Sequence, residues 1–104
     1  MEDPFRLDGK RAVVTGAGKG IGRGITLQLA RAGADVVICS RTEEDLTTLV
    51  LEVEALGRRA TPLLCDVTRT AELENLAATA VASGGIDIWV NNAGGLPDAT
   101  PRYL

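Results

Sequence analysis

Residues 15–22, "TGAGKGIG", place four glycines and a lysine within eight positions of a 104-residue chain. The preceding "RAVVT" (11–15) reads as a short β-branched strand. Beyond the glycines, Ile21, Ile25, Leu29 and Ala32 fall at helical spacing and Gly33 supplies a stop. A strand, a glycine turn and a helix start aim several backbone N–H groups at one spot. That is an anion site, and glycine admits a phosphate to the backbone with no Cβ in its way. Three further groups have chemistry to offer. Ser40-Arg41 set a hydroxyl beside a cation, Asp66 supplies a carboxylate, and Asn91-Asn92-Ala93-Gly94 put two amides before two small residues.

The elements that must position these groups alternate along the chain. "ADVVICS" (34–40) has the apolar character of a buried strand. Thr42 with Asp45 three residues on has the pattern of a capping box. Leu46, Leu49, Val50, Val53 and Leu56 then make one helical stripe, stopped by Gly57. A third strand is expected over 59–65, with Pro62 demanding an early or irregular place in it. Leu73, Leu76, Ala77, Ala80 and Val81 make a third helical stripe within 68–83, and 86–90 form a fourth apolar strand. Residues 96–104, with two prolines in nine positions, read as loop.

The order βαβαβαβ predicts an α/β fold in one domain over 1–104: a Rossmann-like, doubly wound parallel sheet with helices on both faces. The expected strand order is 3-2-1-4, an incomplete version of that sheet. Ligands of such sheets bind beyond the carboxyl ends of the strands, where the order reverses. Gly16 to Gly22 follow strand 1, Ser40-Arg41 strand 2, Asp66 strand 3 and Asn91 to Gly94 strand 4. Four polar or glycine signals at one sheet edge predict a nucleotide site.

Composition limits the alternatives. With 45% hydrophobic and 24% charged residues the chain is globular in type. It has no apolar stretch of bilayer length and its first ten residues lack the apolar centre of a signal peptide, so a cytoplasmic location and no membrane partner are expected. A net charge of -3 argues against nucleic acid. There is no histidine, and Cys39 and Cys65 are too few for zinc, so no metal site is expected and both thiols read as reduced structural residues.

Thr15-Gly16-x-x-x-Gly20-x-Gly22, Asp66 after strand 3 and Asn91-Asn92-Ala93-Gly94 after strand 4 together resemble the short-chain dehydrogenase/reductase family, over about Leu7 to Gly95. The glycine pattern alone is weak evidence; joined to "NNAG" in this βαβ frame it is specific. The resemblance implies an oxidoreductase that moves hydride between a nicotinamide cofactor and a carbonyl or alcohol substrate. It implies that Gly16, Gly20 and Ile21, in one turn with Ala17, Gly18 and Lys19, approach ribose and pyrophosphate, and that Gly22 lets the helix pack close on the strand. Asp66 would meet the adenine amino group with Val67 beside it. Asn92, Ala93 and Gly94 would line the cofactor, while Asn91 and Thr15 would tie the central strands together. The family's serine and Tyr-x-x-x-Lys segments are not among these residues, so no catalytic residue is expected here and Tyr103 is not expected to be the family's tyrosine. A homo-oligomer is expected of the full-length form. A non-catalytic NADP(H)-binding module and a subunit that completes its sheet on another chain remain open alternatives.

The cofactor's phosphate is addressed by the end of strand 2. Sites for NAD(H) place a carboxylate there to hold the ribose hydroxyls. Here the end reads Cys39-Ser40-Arg41, with no acid until Glu43. Arg41, Ser40 and Lys19 are therefore expected to favour NADP(H), with NAD(H) the lesser candidate. Taken singly, Asp66 would equally serve as a helix cap, and Arg41 and Lys19 as solvated surface cations.

Overall fold

Continuous burial along β-branched runs, on both faces of the sheet, builds the centre of this molecule, whose computed structural model describes residues 6–92. Strand β1 (Arg11–Thr15) leads to helix α1 (Gly20–Arg31), β2 (Asp35–Ser40), α2 (Glu43–Ala55), β3 (Ala60–Leu64), α3 (Thr70–Ala82) and β4 (Ile88–Asn91). The four strands form one parallel sheet in the order β3-β2-β1-β4. This is the Rossmann-like arrangement expected from the alternation of elements. Single-helix crossovers place β2 beside β1 and β3 beside β2, the third carries the chain from β3 across to β4 on the other side of β1, and the direction of winding changes at β1.

Successive residues of β1 point to opposite faces and into two separate cores. Ala12 and Val14 join Val36, Ile38, Leu46, Leu49 and Val53 under α1 and α2. Val13 joins Val37, Cys39, Cys65, Leu76 and Ala80 under α3. Leu49 and Leu76 are fully buried, one on each side, and each contributes about 1.5–3 kcal/mol by leaving water. Trp89 lies partly buried against the second core, a packing role on β4. Among the described residues no helix is long and apolar enough to cross a membrane.

Two strand expectations change. β4 begins at Ile88 rather than 86 and runs through Asn91, because Thr15 pairs with Asn91 in the β1–β4 register and holds it in the ladder. Pro62 sits in mid-strand opposite Ile38 rather than at an early or irregular position. It is tolerated because β3 is an outer strand, where a missing N–H need not break a ladder. The capping box is also not formed. Thr42 is the N-cap of α2 but makes no side-chain capping bond. Its own N–H instead donates to Ser40 Oγ at 3.1 Å.

Candidate nucleotide-binding site

The glycine turn leaves β1 at the sheet's switch point. Gly16 and Gly20 adopt φ of +61° and +56°, a left-handed region that side chains disfavour, so the chain reverses there with little strain. α1 then starts at Gly20, with Lys19 as an extended N-cap that makes no side-chain capping bond. Its first turn carries no acidic residue, whereas the first turn of α2 carries Glu43, Glu44 and Asp45. The start of α1 therefore keeps its partial positive charge uncompensated by its own side chains, as an anion site requires.

The turn is held from three sides. Ala17 is fully buried and its N–H donates to the Cys39 carbonyl at 2.9 Å, so it anchors the turn to β2. Arg23 of α1 donates from Nη1 to the Gly18 carbonyl at 3.3 Å and pairs through Nη2 with Glu52 of α2. Asn92 donates from Nδ2 to the Gly16 carbonyl at 3.2 Å. A Cβ on Gly22 would run into that same Gly16 carbonyl and the Asn92 amide, so glycine at 22 is what allows α1 to lie close against the turn. Ile21 is 75% exposed, a large apolar side chain standing at the mouth of the turn.

Beside the turn, at the end of β2, a Cβ on Gly18 would come within 2.9 Å of Ser40 Oγ and 2.7 Å of Asp45 Cβ. Lys19 extends toward the same corner, with Nζ 3.8 Å from Asp45 Oδ2. Ser40 Oγ accepts from Thr42 and keeps its own proton to donate to a ligand oxygen. Arg41 is exposed and near enough to Asp66 to help lower that carboxylate's pKa.

Asp66 does not cap α3, whose N-cap is Arg69. Its Oδ1 accepts from the Thr68 hydroxyl at 2.6 Å and the Thr68 N–H at 3.0 Å, shaping the turn after β3. Those bonds lower its pKa below the ordinary carboxylate value, burial works against them, and Arg41 and Arg69 add to the lowering. Glu72 reaches back from α3 to accept from the Asp66 N–H at 2.9 Å. Val67 packs on the α3 core. Both cysteines are buried free thiols, and burial, with Cys65 and Glu72 alongside, raises the Cys39 pKa to about 12, which keeps it an unreactive thiol.

The expected site residues lie at the carboxyl ends of the strands: Gly16 to Gly22 after β1, Ser40 and Arg41 at the end of β2, Asp66 and Val67 after β3, and Asn92 after β4. Ala93 and Gly94 lie outside the described residues. Three participants carry no motif signal. Arg23 and Glu52 lie on different helices and meet only through packing, and Asp45 has the spacing of a capping residue. Nothing local in the sequence distinguishes these side chains from solvated helix charges.

A parallel sheet wound about a switch point, with a glycine turn and an uncapped helix start at its carboxyl edge, defines a Rossmann-like α/β protein. Comparison with known proteins narrows the class: the short chain dehydrogenase family model matches residues 10–102, and this chain belongs to that family. It is 48% identical over 94 residues to an uncharacterized oxidoreductase of Mycobacterium tuberculosis, covering 89% of this chain and 36% of that protein. It is 46% identical over 94 residues to the 7alpha-hydroxysteroid dehydrogenase of Escherichia coli K12, covering 89% of this chain and 37% of the relative. Among solved structures, 7alpha-hydroxysteroid dehydrogenase complexed with NADH and 7-oxo glycochenodeoxycholic acid superposes with a TM-score of 0.85 at 44% identity, over 93% of this chain and 40% of that one. Carveol dehydrogenase from Mycobacterium avium in complex with NAD gives 0.81 at 32% identity, over 86% and 37%. The chain therefore spans well under half the length of these relatives.

Proposed function

We propose that this chain forms the cofactor-binding part of an oxidoreductase that uses NADP(H) and acts on a small carbonyl or alcohol substrate. The observation that carries the reading is the corner at the end of β2. Ser40 and Arg41 stand where a carboxylate would hold the ribose hydroxyls of NAD(H), and Ser40 Oγ lies against Gly18, next to Lys19. The glycine turn suits a dinucleotide: Gly20, at the start of α1, has open space where a Cβ would stand, and Gly22 lets α1 lie close against the Gly16 carbonyl. When bound, the nicotinamide supplies the hydride chemistry. This chain's residues bind and orient: the α1 start faces the pyrophosphate, Asp66 accepts from the adenine amino group, and Asn92 lines the cofactor's length.

Use of NAD(H) is the second reading. It is favoured by Asp45, a carboxylate at the same corner, and by relatives of known structure that carry NADH and NAD. Affinity for NADPH and NADH, measured in wild type, Arg41→Ala and Lys19→Ala at two salt concentrations, separates the two. NADPH is expected to bind about 10- to 100-fold more tightly, with each alanine variant losing NADPH selectively and the preference shrinking in salt. Equal wild-type affinities, or variants that weaken both cofactors alike, overturn the NADP(H) reading.

A further inference from the structure

Asp45 occupies a position that its sequence spacing does not explain. It stands in the first turn of α2, where an acid commonly reaches back to cap, yet Thr42 makes no side-chain capping bond. Its side chain turns instead toward the glycine turn. Asp45 Cβ lies 2.7 Å, and Oδ2 3.2 Å, from the point where a side chain on Gly18 would begin, and Oδ2 is 3.8 Å from Lys19 Nζ. The pair is asymmetric in exposure. Asp45 is 23% exposed and packed against the turn, while Lys19 is 80% exposed. A fixed anion thus sits within the corner formed by Gly18, Lys19 and Ser40.

We infer that Asp45 is a specificity-determining residue that moderates the preference for a 2′-phosphorylated adenosine ribose by holding Lys19 and placing its own charge beside the phosphate position. The inference rests on the reading of Ser40, Arg41 and Lys19 as the phosphate corner. A phosphate monoester carries about -1.5 to -2 charges near neutral pH, so it must both take Lys19 from Asp45 and tolerate the carboxylate nearby. An unphosphorylated ribose meets neither demand, because its hydroxyl can donate to a carboxylate. The same side chain is thus unfavourable to one ligand and neutral or favourable to the other. Asp45 also gains from the α2 dipole as any first-turn acid does, but that contribution to stability is blind to which ligand binds.

The test uses the adenosine end alone, as adenosine 2′,5′-bisphosphate against 5′-AMP, titrated calorimetrically into wild type, Asp45→Asn, Asp45→Ser and Arg41→Ala. Asp45→Asn is expected to tighten the bisphosphate about three- to tenfold, with 5′-AMP unchanged or weakened, and the gain should shrink at high salt. Asp45→Ser should act in the same direction, which guards against a fold defect peculiar to one variant. A bisphosphate affinity that stays constant or falls in both variants, or a parallel change in both ligands, overturns the inference. If wild type does not favour the bisphosphate and Arg41→Ala loses nothing selectively, the phosphate-corner reading itself fails. If Arg41→Ala loses the bisphosphate selectively while both Asp45 variants are silent, only the role of Asp45 is lost.

Discussion

Thr15 and Asn91 end neighbouring parallel strands and bond to each other, Thr15 Oγ1 donating to Asn91 Oδ1 at 3.1 Å across the switch point of the sheet. The same Oγ1 accepts from the Asn92 N–H at 3.0 Å, and Asn92 in turn holds the Gly16 carbonyl. One fully buried hydroxyl therefore links β1, β4 and the glycine turn.

Thr15→Val keeps the shape of this residue and removes the hydroxyl, leaving the Asn92 N–H without its acceptor. Stability is expected to fall by about 1 kcal/mol, the scale of a part-buried hydrogen bond, and Thr15→Ser should recover most of it. Urea unfolding of both variants measures the difference. Equal stability of the valine variant and wild type would show that the hydroxyl is dispensable.

Arg23 holds the glycine turn from the opposite side, through the Gly18 carbonyl and Glu52. Replacing it with alanine removes a partly buried pair and a carbonyl bond together, with an expected loss of about 1 kcal/mol. The more telling readout is local: amide exchange at Gly18, Lys19 and Gly20 should accelerate more than exchange in β2. A uniform change across the fold would assign Arg23 to general packing instead.

Asp66 makes stability depend on acid. Its folded pKa lies below the ordinary value of 3.8, first through its bonds from Thr68 and then through Arg41 and Arg69. A depressed carboxylate stabilises the fold at pH above its unfolded pKa, and that contribution is lost as pH falls through the folded value. The melting temperature of wild type should therefore drop below about pH 4, and Asp66→Asn should show a shallower drop, since it has no proton to take up. At neutral pH the same variant keeps an acceptor for Thr68 but changes the group that the proposed function assigns to the adenine amino group. A loss of about fivefold in cofactor affinity is expected, on the scale of one hydrogen bond. Unchanged affinity in Asp66→Asn would leave the residue with the turn alone.

The local pattern of residues determined more of this fold than of its site. Hydrophobic periodicity and glycine stops located the three helices and four strands of the described residues, and the crossover preference of parallel strands then led to the order β3-β2-β1-β4. The glycine turn was legible because its function is backbone chemistry, which glycine spacing records directly. Strand ends were less so: Asn91 belongs to β4 because Thr15 stands opposite it, a pairing between residues 76 positions apart. Side-chain partners were decided by packing. Asp45 and Thr42 have capping-box spacing, yet with α2 packed beside α1 no side-chain cap forms at Thr42 and the Asp45 carboxylate lies by Lys19 and Gly18. Arg23 finds Glu52 for the same reason. A short-range motif states what one stretch of backbone can do, whereas the partner of a charged side chain is set by the distance between elements. Only their packing fixes that distance.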